Sequence, residues 1–202
     1  LLKVYLTFIK SGNICIPLDP NIEKENFGHI YDLTNPDLVF LTHDVYKKLE
    51  LNSDKTISPD ILQGSEPDNF ETLKLWNPET SKSLLDAERC AEINFTSGSP
   101  VKPKGVMISH KNLIVNTGSI VEYLKLTQEG RMLVVLPFYY CYGLSLLHTH
   151  LRVVGSIVFN NSFIFLGSLI KSLLDHKCTG FAGALTHFQI LLKKSDPFKK
   201  TY

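Results

Sequence analysis

The chain has 202 residues, 44% of them hydrophobic, so it is long enough to bury one sizeable core or two small ones. Its formal net charge of +1 gives no electrostatic reason to expect nucleic acid or an anionic membrane surface as a partner. No stretch of the sequence approaches the roughly 18 uninterrupted apolar residues that a membrane-spanning helix needs.

The four cysteines are widely spaced and form no Cys-x-x-Cys pair; they are Cys15, Cys90, Cys141 and Cys178. Each lies in an apolar run, so we expect buried, reduced thiols in a cytoplasmic protein. The opening residues lack an initiator Met and a cleavage site, and we expect a helix cut in its middle rather than a signal peptide.

Helices and short apolar strands alternate over the first fifty residues. Leu2, Leu6 and Ile9 recur at helical spacing, and Ser11-Gly12 ends that helix. The next predicted elements are a strand over Asn13–Pro17, a helix over Glu23–Leu33, a strand over Asp37–Leu41 and a helix over Asp44–Leu49. This alternation predicts an α/β fold with layered sheets flanked by helices. Between Asn52 and Glu88 the pattern weakens, and Thr72–Trp76 is the only strand candidate.

The most distinctive stretch connects two apolar runs, Ala91–Phe95 and Gly105–Ile108, that are both predicted strands. Small residues open the connection, and they leave backbone N–H groups free to approach an anion; they are Thr96, Ser97, Gly98 and Ser99. Lys102 and Lys104 follow, and two ammonium groups on flexible stems suit a polyphosphate. The alternative is a solvated hairpin with incidental lysines.

After this loop, Ser109 is predicted to cap a helix whose apolar face runs from Leu113 to Leu124. Met132–Leu136 is a continuous apolar run, typical of a strand covered on both faces. The aromatic segment Pro137–Leu144 follows it directly. Because ligands of open α/β sheets gather at the carboxyl ends of strands, this segment is a candidate site, with plain core packing as the alternative.

The alternation continues toward the end of the chain. The predicted elements are a helix carrying Leu144, Leu147, His148 and Leu151, a strand over Ser156–Phe159, a helix over Leu166–Leu174, a strand over Cys178–Gly183, and a helix carrying Phe188, Leu191 and Leu192. Thr186 is predicted to cap the last helix. His148 and His150 are two residues apart with no third ligand, so we expect packed or surface histidines and no metal site.

The spelling of the loop, Phe95-Thr-Ser-Gly-Ser-x-x-Lys-Pro-Lys-Gly-Val106, resembles the phosphate loop of adenylate-forming enzymes. That superfamily includes acyl-CoA synthetases, luciferases and the adenylation domains of nonribosomal peptide synthetases. Lys10–Pro20 and Leu136–Gly143 are similar to further elements of the superfamily, in the same order. The resemblance implies two sets of site residues. The ATP phosphates would contact Thr96, Ser97, Gly98, Ser99, Lys102, Lys104 and Gly105, and the carboxylate substrate would contact Tyr140, Tyr142, Gly143, Leu144, Gly183 and Ala184.

The chain departs from the family's pattern at a few positions. Pro100-Val101 stands where the family usually carries Thr-Gly, Tyr140 stands where histidine is frequent, and Leu185 replaces a proline. Proline cannot donate a hydrogen bond, and valine is stiff where glycine is free. If the loop needs the glycine conformation, the resulting strain is on the order of 1–3 kcal/mol.

The resemblance implies an AMP-forming carboxylate ligase that uses ATP and Mg²⁺. It would pass the acyl group to CoA, or to the phosphopantetheine of an acyl or peptidyl carrier protein. The family's peptide synthetases use an Asp near the aromatic segment to hold an α-amino group. None is present here, so we expect a fatty or aryl acid as the small-molecule carboxylate.

By the same resemblance, residues 1–202 correspond to a partial N-terminal (adenylation) domain. The mobile C-terminal domain and its catalytic lysine are missing, so no catalytic residue is assigned and we expect no turnover by this polypeptide alone. One alternative is a non-catalytic remnant that keeps an acyl- or nucleotide-binding cleft. The other is a plain α/β interaction domain, which requires the loop resemblance to be accidental.

Overall fold

The computed structural model describes residues 2–51, 56–57, 86–96, 102–160 and 166–194. The chain divides into two compact units, Leu1–Lys111 and Asn112–Tyr202. Some predicted features lie outside the described residues: the strand over Thr72–Trp76, and Ser97, Gly98, Ser99, Pro100 and Val101 of the candidate loop.

The first unit contains short strands and three helices in its described part. In chain order they are α1 (Leu2–Lys10), α2 (Lys24–Thr34), β1 (Val39–Phe40), α3 (His43–Leu49), β2 (Thr56–Ile57), β3 (Cys90–Phe95) and β4 (Gly105–Ser109). β1 pairs with β2 in parallel, whereas β3 and β4 form an antiparallel hairpin. The strands predicted on either side of the candidate loop are therefore confirmed, and they are each other's partners.

The helices of this unit end at residues in the left-handed conformation. Gly12 has φ 76°, as the predicted stop after α1 requires, and Asn35 and Glu50 end α2 and α3 with φ 41° and 51°. Glycine and asparagine adopt this conformation at low cost, which explains the first two positions. The predicted helices of the first fifty residues are thus confirmed to within a residue or two.

The strand predicted over Asn13–Pro17 is wrong in its extent. Cys15 makes a single parallel bridge to Glu92 of β3. Its backbone N–H donates to the carbonyl of Ala91 at 2.9 Å, and its carbonyl accepts the N–H of Ile93 at 2.9 Å. The segment therefore attaches to the sheet at one residue, because the ladder ends before a second pair forms.

The second unit alternates strands with helices. Its described elements are α4 (His110–Leu124), which starts at the boundary between the units, β5 (Arg131–Val134), α5 (Cys141–Arg152), β6 (Ser156–Phe159), α6 (Leu166–Asp175), β7 (Gly180–Ala182) and α7 (Leu185–Lys194). The three strands form a parallel sheet in the order β6–β5–β7. A parallel sheet with crossover helices is the arrangement that the sequence pattern predicted.

β5 is the central strand, and its side chains are buried on both faces. Leu133 packs with Leu169 of α6 and Leu191 of α7 on one face. Val134 packs with Leu146 of α5 and Ala182 on the other face. Neighbouring side chains of a strand point to opposite faces, so one short strand supports helices on both sides of the sheet.

None of the four cysteines forms a disulfide. The prediction that all four are buried is wrong for Cys141, which is exposed in the first turn of α5, while the other three are partly buried. Across the described residues, every helix is too short or too polar to cross a membrane.

We predict that Leu133→Ala lowers the free energy of unfolding by about 2–5 kcal/mol, since it leaves a cavity beneath two helices. Leu192→Ala is the matched control, because that leucine on α7 is 82% exposed and its loss should change stability by at most about 0.5 kcal/mol. Urea denaturation of both variants measures the difference. Equal losses would contradict the assignment of β5 as the centre of the core.

Candidate functional site

The candidate phosphate loop is closed at its base by the hairpin. Phe95 pairs with Gly105 at the ends of β3 and β4. Just beyond this pair, the Thr96 N–H donates to the Lys104 carbonyl at 3.0 Å, and the Lys104 N–H donates to the Thr96 hydroxyl at 3.4 Å. These contacts bring Thr96 and Lys104 together, so both ends of the loop are fixed at the same place.

Gly105 allows this close approach. A Cβ atom at this position would lie 2.8 Å from Cγ2 of Ile93 and 3.1 Å from the ring of Phe95. Real Cβ atoms do not approach other carbon atoms so closely, and Ile93 is β-branched and stiff. The glycine of the loop motif is therefore required here for packing across the hairpin.

The two lysines of the loop are exposed. The ion pairs found among the described residues lie elsewhere, between Lys24 and Glu50 and between Lys111 and Glu88. Neither Lys102 nor Lys104 has a carboxylate within salt-bridge distance in that part of the chain. Their positive charges are thus not neutralised by a described neighbour, as an anion site requires.

Behind the loop, β3 carries a buried polar cluster. Glu92 is 1% exposed and accepts hydrogen bonds from the Tyr5 hydroxyl at 2.8 Å and from Nδ2 of Asn94 at 3.0 Å. The Oδ1 atom of Asn94 is buried and has no hydrogen-bond partner among the described residues. Glu92, Asn94 and Thr96 alternate along the chain, so the cluster and the first loop hydroxyl belong to one face of the strand.

Burial dominates the electrostatics of this cluster. It raises the pKa of the Glu92 carboxyl above its ordinary value of 4.5, although the hydrogen bonds from Tyr5 and Asn94 act in the opposite direction. Burial, together with the negative charge of Glu92, raises the pKa of the Cys15 thiol to about 12 and also raises the pKa of Tyr5. The cluster therefore favours neutral side chains in the folded state.

We predict that Glu92→Gln changes how stability depends on pH. Because the folded pKa of Glu92 is raised, its contribution to stability is complete below pH 4.5 and is lost as the pH rises through the folded value. Glutamine does not ionise, so the variant should become progressively more stable relative to the wild type above pH 4.5. Urea denaturation between pH 4 and 8 measures the two curves.

Glu50→Gln is the control, because the pKa of Glu50 is shifted in the opposite direction to that of Glu92. The hydrogen bond and the positive charge of Lys24 lower the pKa of Glu50, so its contribution is present above pH 4.5 and is lost as the pH falls through the folded value. Parallel curves for wild type and Glu92→Gln would show that burial of the carboxyl has no effect on its ionisation.

The second group of predicted site residues lies at one edge of the sheet in the second unit. Val134 at the end of β5 pairs with Phe159 at the end of β6 and with Ala182 at the end of β7. The strands are parallel, so the aromatic segment after β5 and Gly183–Ala184 after β7 leave the sheet at the same edge. The tertiary structure thus brings together residues more than 40 positions apart in sequence.

Gly143 holds the aromatic segment in a tight turn. A Cβ atom there would collide with the Pro137 carbonyl oxygen, and it would lie 2.8 Å from the carbonyl carbon. The turn begins with a bond of 3.3 Å from the Tyr140 N–H to the Pro137 carbonyl. It continues into α5 with a bond of 3.1 Å from the Leu144 N–H to the Tyr140 carbonyl. The segment therefore folds back on itself before the helix starts.

This turn divides the predicted substrate residues into exposed and buried ones. Tyr140 and Tyr142 are exposed, whereas Gly143 and Leu144 are buried. Other aromatic rings accompany them: Tyr139 lies 4.7 Å from Tyr140, and Phe138 meets Phe159 edge-on at 5.2 Å between ring centroids. The exposed part of the edge is therefore rich in aromatic surface.

The prediction that Thr186 caps the last helix is wrong. α7 begins at Leu185, so Thr186 already lies inside its first turn. The contact at this helix start comes from His187, whose Nδ1 accepts the N–H of Ala184 at 2.9 Å. The imidazole of His187, and not the predicted hydroxyl of Thr186, therefore binds the backbone at the start of α7.

The chain matches the model of a known family along its whole length. The family is described as AMP-binding enzyme, and the match covers residues 1–202. The chain belongs to this family.

Relatives of this family member include ligases of two kinds. An acyl-CoA ligase, sidI, of Aspergillus fumigatus is 24% identical over 97% of this chain and 37% of its own length. A D-alanine–D-alanyl carrier protein ligase of Listeria innocua is 27% identical over 78% of this chain and 30% of its own length. The chain therefore spans about a third of the length of these relatives.

Solved structures show the same fold. The O-succinylbenzoate-CoA synthetase of Bacillus subtilis, in complex with ATP and magnesium, superimposes with a TM-score of 0.77 at 18% identity, over 96% of this chain and 50% of that one. The fatty acyl-adenylate ligase of L. pneumophila, in complex with acyl adenylate and pyrophosphate, superimposes with a TM-score of 0.77 at 23% identity, over 99% of this chain and 35% of that one. The fold of the chain is that of the N-terminal region of adenylate-forming enzymes.

The sequence pattern did not predict the roles of two side chains at these sites. Glu92 lies inside the predicted apolar strand Ala91–Phe95, although its alternation with Asn94 and Thr96 indicates a polar face. His187 lies three residues after Ala184, a spacing at which Glu or Gln usually completes a capping box. In contrast, no described group of three or more His, Cys, Asp or Glu side chains is arranged to hold a metal ion.

We predict that Gly143→Ala destabilises the protein and disorders the aromatic segment, since the added methyl group collides with backbone atoms of Pro137. Gly118→Ala in α4 is the control, because its Cβ would meet nothing within 4 Å and alanine should stabilise the helix by about 0.5–1 kcal/mol. Thermal unfolding and tyrosine fluorescence measure both effects. A stabilising Gly143→Ala would contradict the tight turn.

Proposed function

We propose that this chain is a partial N-terminal domain of an AMP-forming carboxylate ligase. The observation that supports the proposal most strongly is the hairpin that joins Thr96 to Lys104 at the base of a loop whose two lysines have no carboxylate partner in the described part of the chain. The match to the AMP-binding family over the whole chain and the likeness to both kinds of ligase support the same conclusion. The mobile C-terminal domain would complete the enzyme.

The proposed reaction has two steps. A carboxylate oxygen of the substrate attacks the α-phosphorus of ATP, the bond from this phosphorus to the bridging oxygen breaks, and pyrophosphate leaves. A thiol sulfur then attacks the acyl carbon, AMP leaves with the electron pair of the acyl–oxygen bond, and the thiol proton passes to solvent. In the first step, Lys102 and Lys104 would neutralise the charge that grows on the leaving pyrophosphate.

The loop fits phosphates better than it fits a bare metal ion. Its described residues offer two ammonium groups and the Thr96 hydroxyl, and no carboxylate lies among them. Mg²⁺ prefers oxygen ligands and commonly keeps phosphate oxygens and waters in its shell. We assign Lys102 and Lys104, with Thr96, Ser97, Gly98, Ser99 and Gly105, to the phosphates, and Mg²⁺ held by those phosphates would supply further charge neutralisation.

A fatty or aryl acid is the substrate class that we propose. The aromatic edge exposes Tyr140 and Tyr142, and no Asp, Glu, Lys or Arg occurs between Met132 and Leu151. Such a surface binds apolar or aromatic groups and has no carboxylate to hold an α-amino group. Gly143, Leu144, Gly183 and Ala184 would complete the wall. The thiol would belong to CoA or to a carrier-protein phosphopantetheine; the relatives include an acyl-CoA ligase and a carrier protein ligase.

The test is ATP–pyrophosphate exchange by the full-length protein that carries this chain. We expect exchange with octanoate or benzoate and none with D-alanine. Lys104→Ala should raise the KM for ATP about tenfold or more, because a hydrogen bond to a charged phosphate is lost. Lys24→Ala is the matched control, since that exposed lysine pairs with Glu50 and is not one of the loop residues. No exchange with any acid would overturn the enzyme proposal.

The second candidate is a non-catalytic remnant, and the observation that favours it is Pro100-Val101 in the loop. The double variant Pro100→Thr, Val101→Gly separates the two candidates. Tighter MgATP binding by the variant, together with activity in the wild type, would indicate a working but strained loop. Exchange that appears only in the double variant would indicate a natural loop that has lost its function.

A further inference from the structure

The turn between β7 and α7 is closed by a side chain rather than by the backbone alone. Nδ1 of His187 accepts the Ala184 N–H at 2.9 Å, and the His187 N–H donates to the Ala184 carbonyl at 2.9 Å. Each of the two residues therefore donates a hydrogen bond to the other. Because Nδ1 is the acceptor, this nitrogen of the imidazole carries no proton in this arrangement.

The same imidazole packs against Gly183. A Cβ atom on Gly183 would lie 3.0 Å from Cβ and 3.3 Å from Cγ of His187, and 3.3 Å from the Phe181 ring. Phe181 in turn meets Phe188 edge-on, with 5.6 Å between ring centroids. His187 thus fixes Gly183 by contact and Ala184 by a hydrogen bond, while the two phenylalanines tie β7 to the first turn of α7.

Leu185, the first residue of α7, does not restrain Gly183–Ala184 in this way. Leu185 is 74% exposed and its φ is not limited by a ring, as a proline's would be at this position. The conformation of Gly183–Ala184 therefore depends on His187. Gly183–Ala184 follows β7 at the edge where the aromatic segment follows β5.

We propose that His187 is a positioning residue for the carboxylate substrate: it holds Gly183–Ala184 in the conformation that forms one wall of the acyl-binding surface. This inference rests on the proposed function. It adds a residue that acts on the pocket wall through Ala184, without contact to the reacting atoms. Losing it should weaken binding of the acid and leave ATP binding unchanged.

The experiment compares His187→Phe with His187→Asn in the full-length protein, with octanoate and benzoate as probes. Phenylalanine keeps a ring against Gly183 but has no acceptor, whereas asparagine keeps an acceptor at the δ position. We expect His187→Phe to raise the KM for the acid about 3- to 10-fold, as the loss of one hydrogen bond predicts. The kcat and the KM for ATP should stay within about twofold, and His187→Asn should restore the KM for the acid.

Amide hydrogen exchange of Ala184 provides the second measurement, on the 202-residue chain itself. Protection of this amide should be present in the wild type and in His187→Asn, and lost in His187→Phe. If His187→Phe does not fold, His187→Leu replaces it, since leucine also lacks an acceptor and is a good helix former.

The outcomes separate the two proposals. Loss of protection with unchanged KM for the acid would overturn this inference alone, because the hydrogen bond would then serve only the fold. An equal rise in the KM for ATP and for the acid would also overturn it. If the wild type shows no acid-dependent exchange at all, the proposed function and the substrate role of His187 both fail.

Discussion

The pairing of β5 with both of its neighbours is the constraint on which the second unit depends. Four residues of this strand pair with β6 on one side, and three of them also pair with β7 on the other. Leu133 and Val134 are buried on opposite faces of the sheet. Parallel pairing places the ends of all three strands at one edge. The aromatic segment and Gly183–Ala184 therefore leave the sheet at the same edge.

The first unit depends on a different constraint, the close contact of the two hairpin strands. The absence of a side chain on Gly105 lets β4 approach Ile93 and Phe95, and this approach fixes the base of the loop. The opposite face of β3 carries the Glu92 carboxyl, whose pKa burial raises and which accepts a hydrogen bond from Tyr5 of α1. The base of the loop therefore depends on the close strand contact at Gly105, and the polar cluster lies on the other face of the same strand.

Both candidate sites share one arrangement. A glycine lets a neighbouring segment pack closely against it, and a hydrogen bond then holds the two segments together. In the hairpin, Gly105 permits the approach and the Thr96–Lys104 backbone bond fixes it. At the sheet edge, Gly183 permits the contact with His187, and the bond from Ala184 to Nδ1 fixes it. Glycine alone would leave these segments free to adopt many conformations, so the polar contact is what selects one.

Most elements of the chain were predictable because hydrophobic periodicity and turn residues are local signals. The continuous apolar run before Pro137 predicted a strand covered on both faces, and Gly12 predicted the end of α1. The loop motif could be recognised for the same reason, since its small residues and lysines lie close together in the sequence. The extent of the Asn13–Pro17 segment was not predictable, because a strand's length depends on partners that are distant in sequence.

The sequence by itself determined the family, the alternation of helices and strands, and the types of residue at both candidate sites. Only the tertiary structure decided that Glu92 is buried against Tyr5, that Leu144 points into the core while Tyr140 stays exposed, and that His187 rather than Thr186 secures the start of α7. Each of these depends on which side chains pack together across the fold. Burial and hydrogen bonding are properties of that packing, whereas periodicity and motif spelling are properties of the chain.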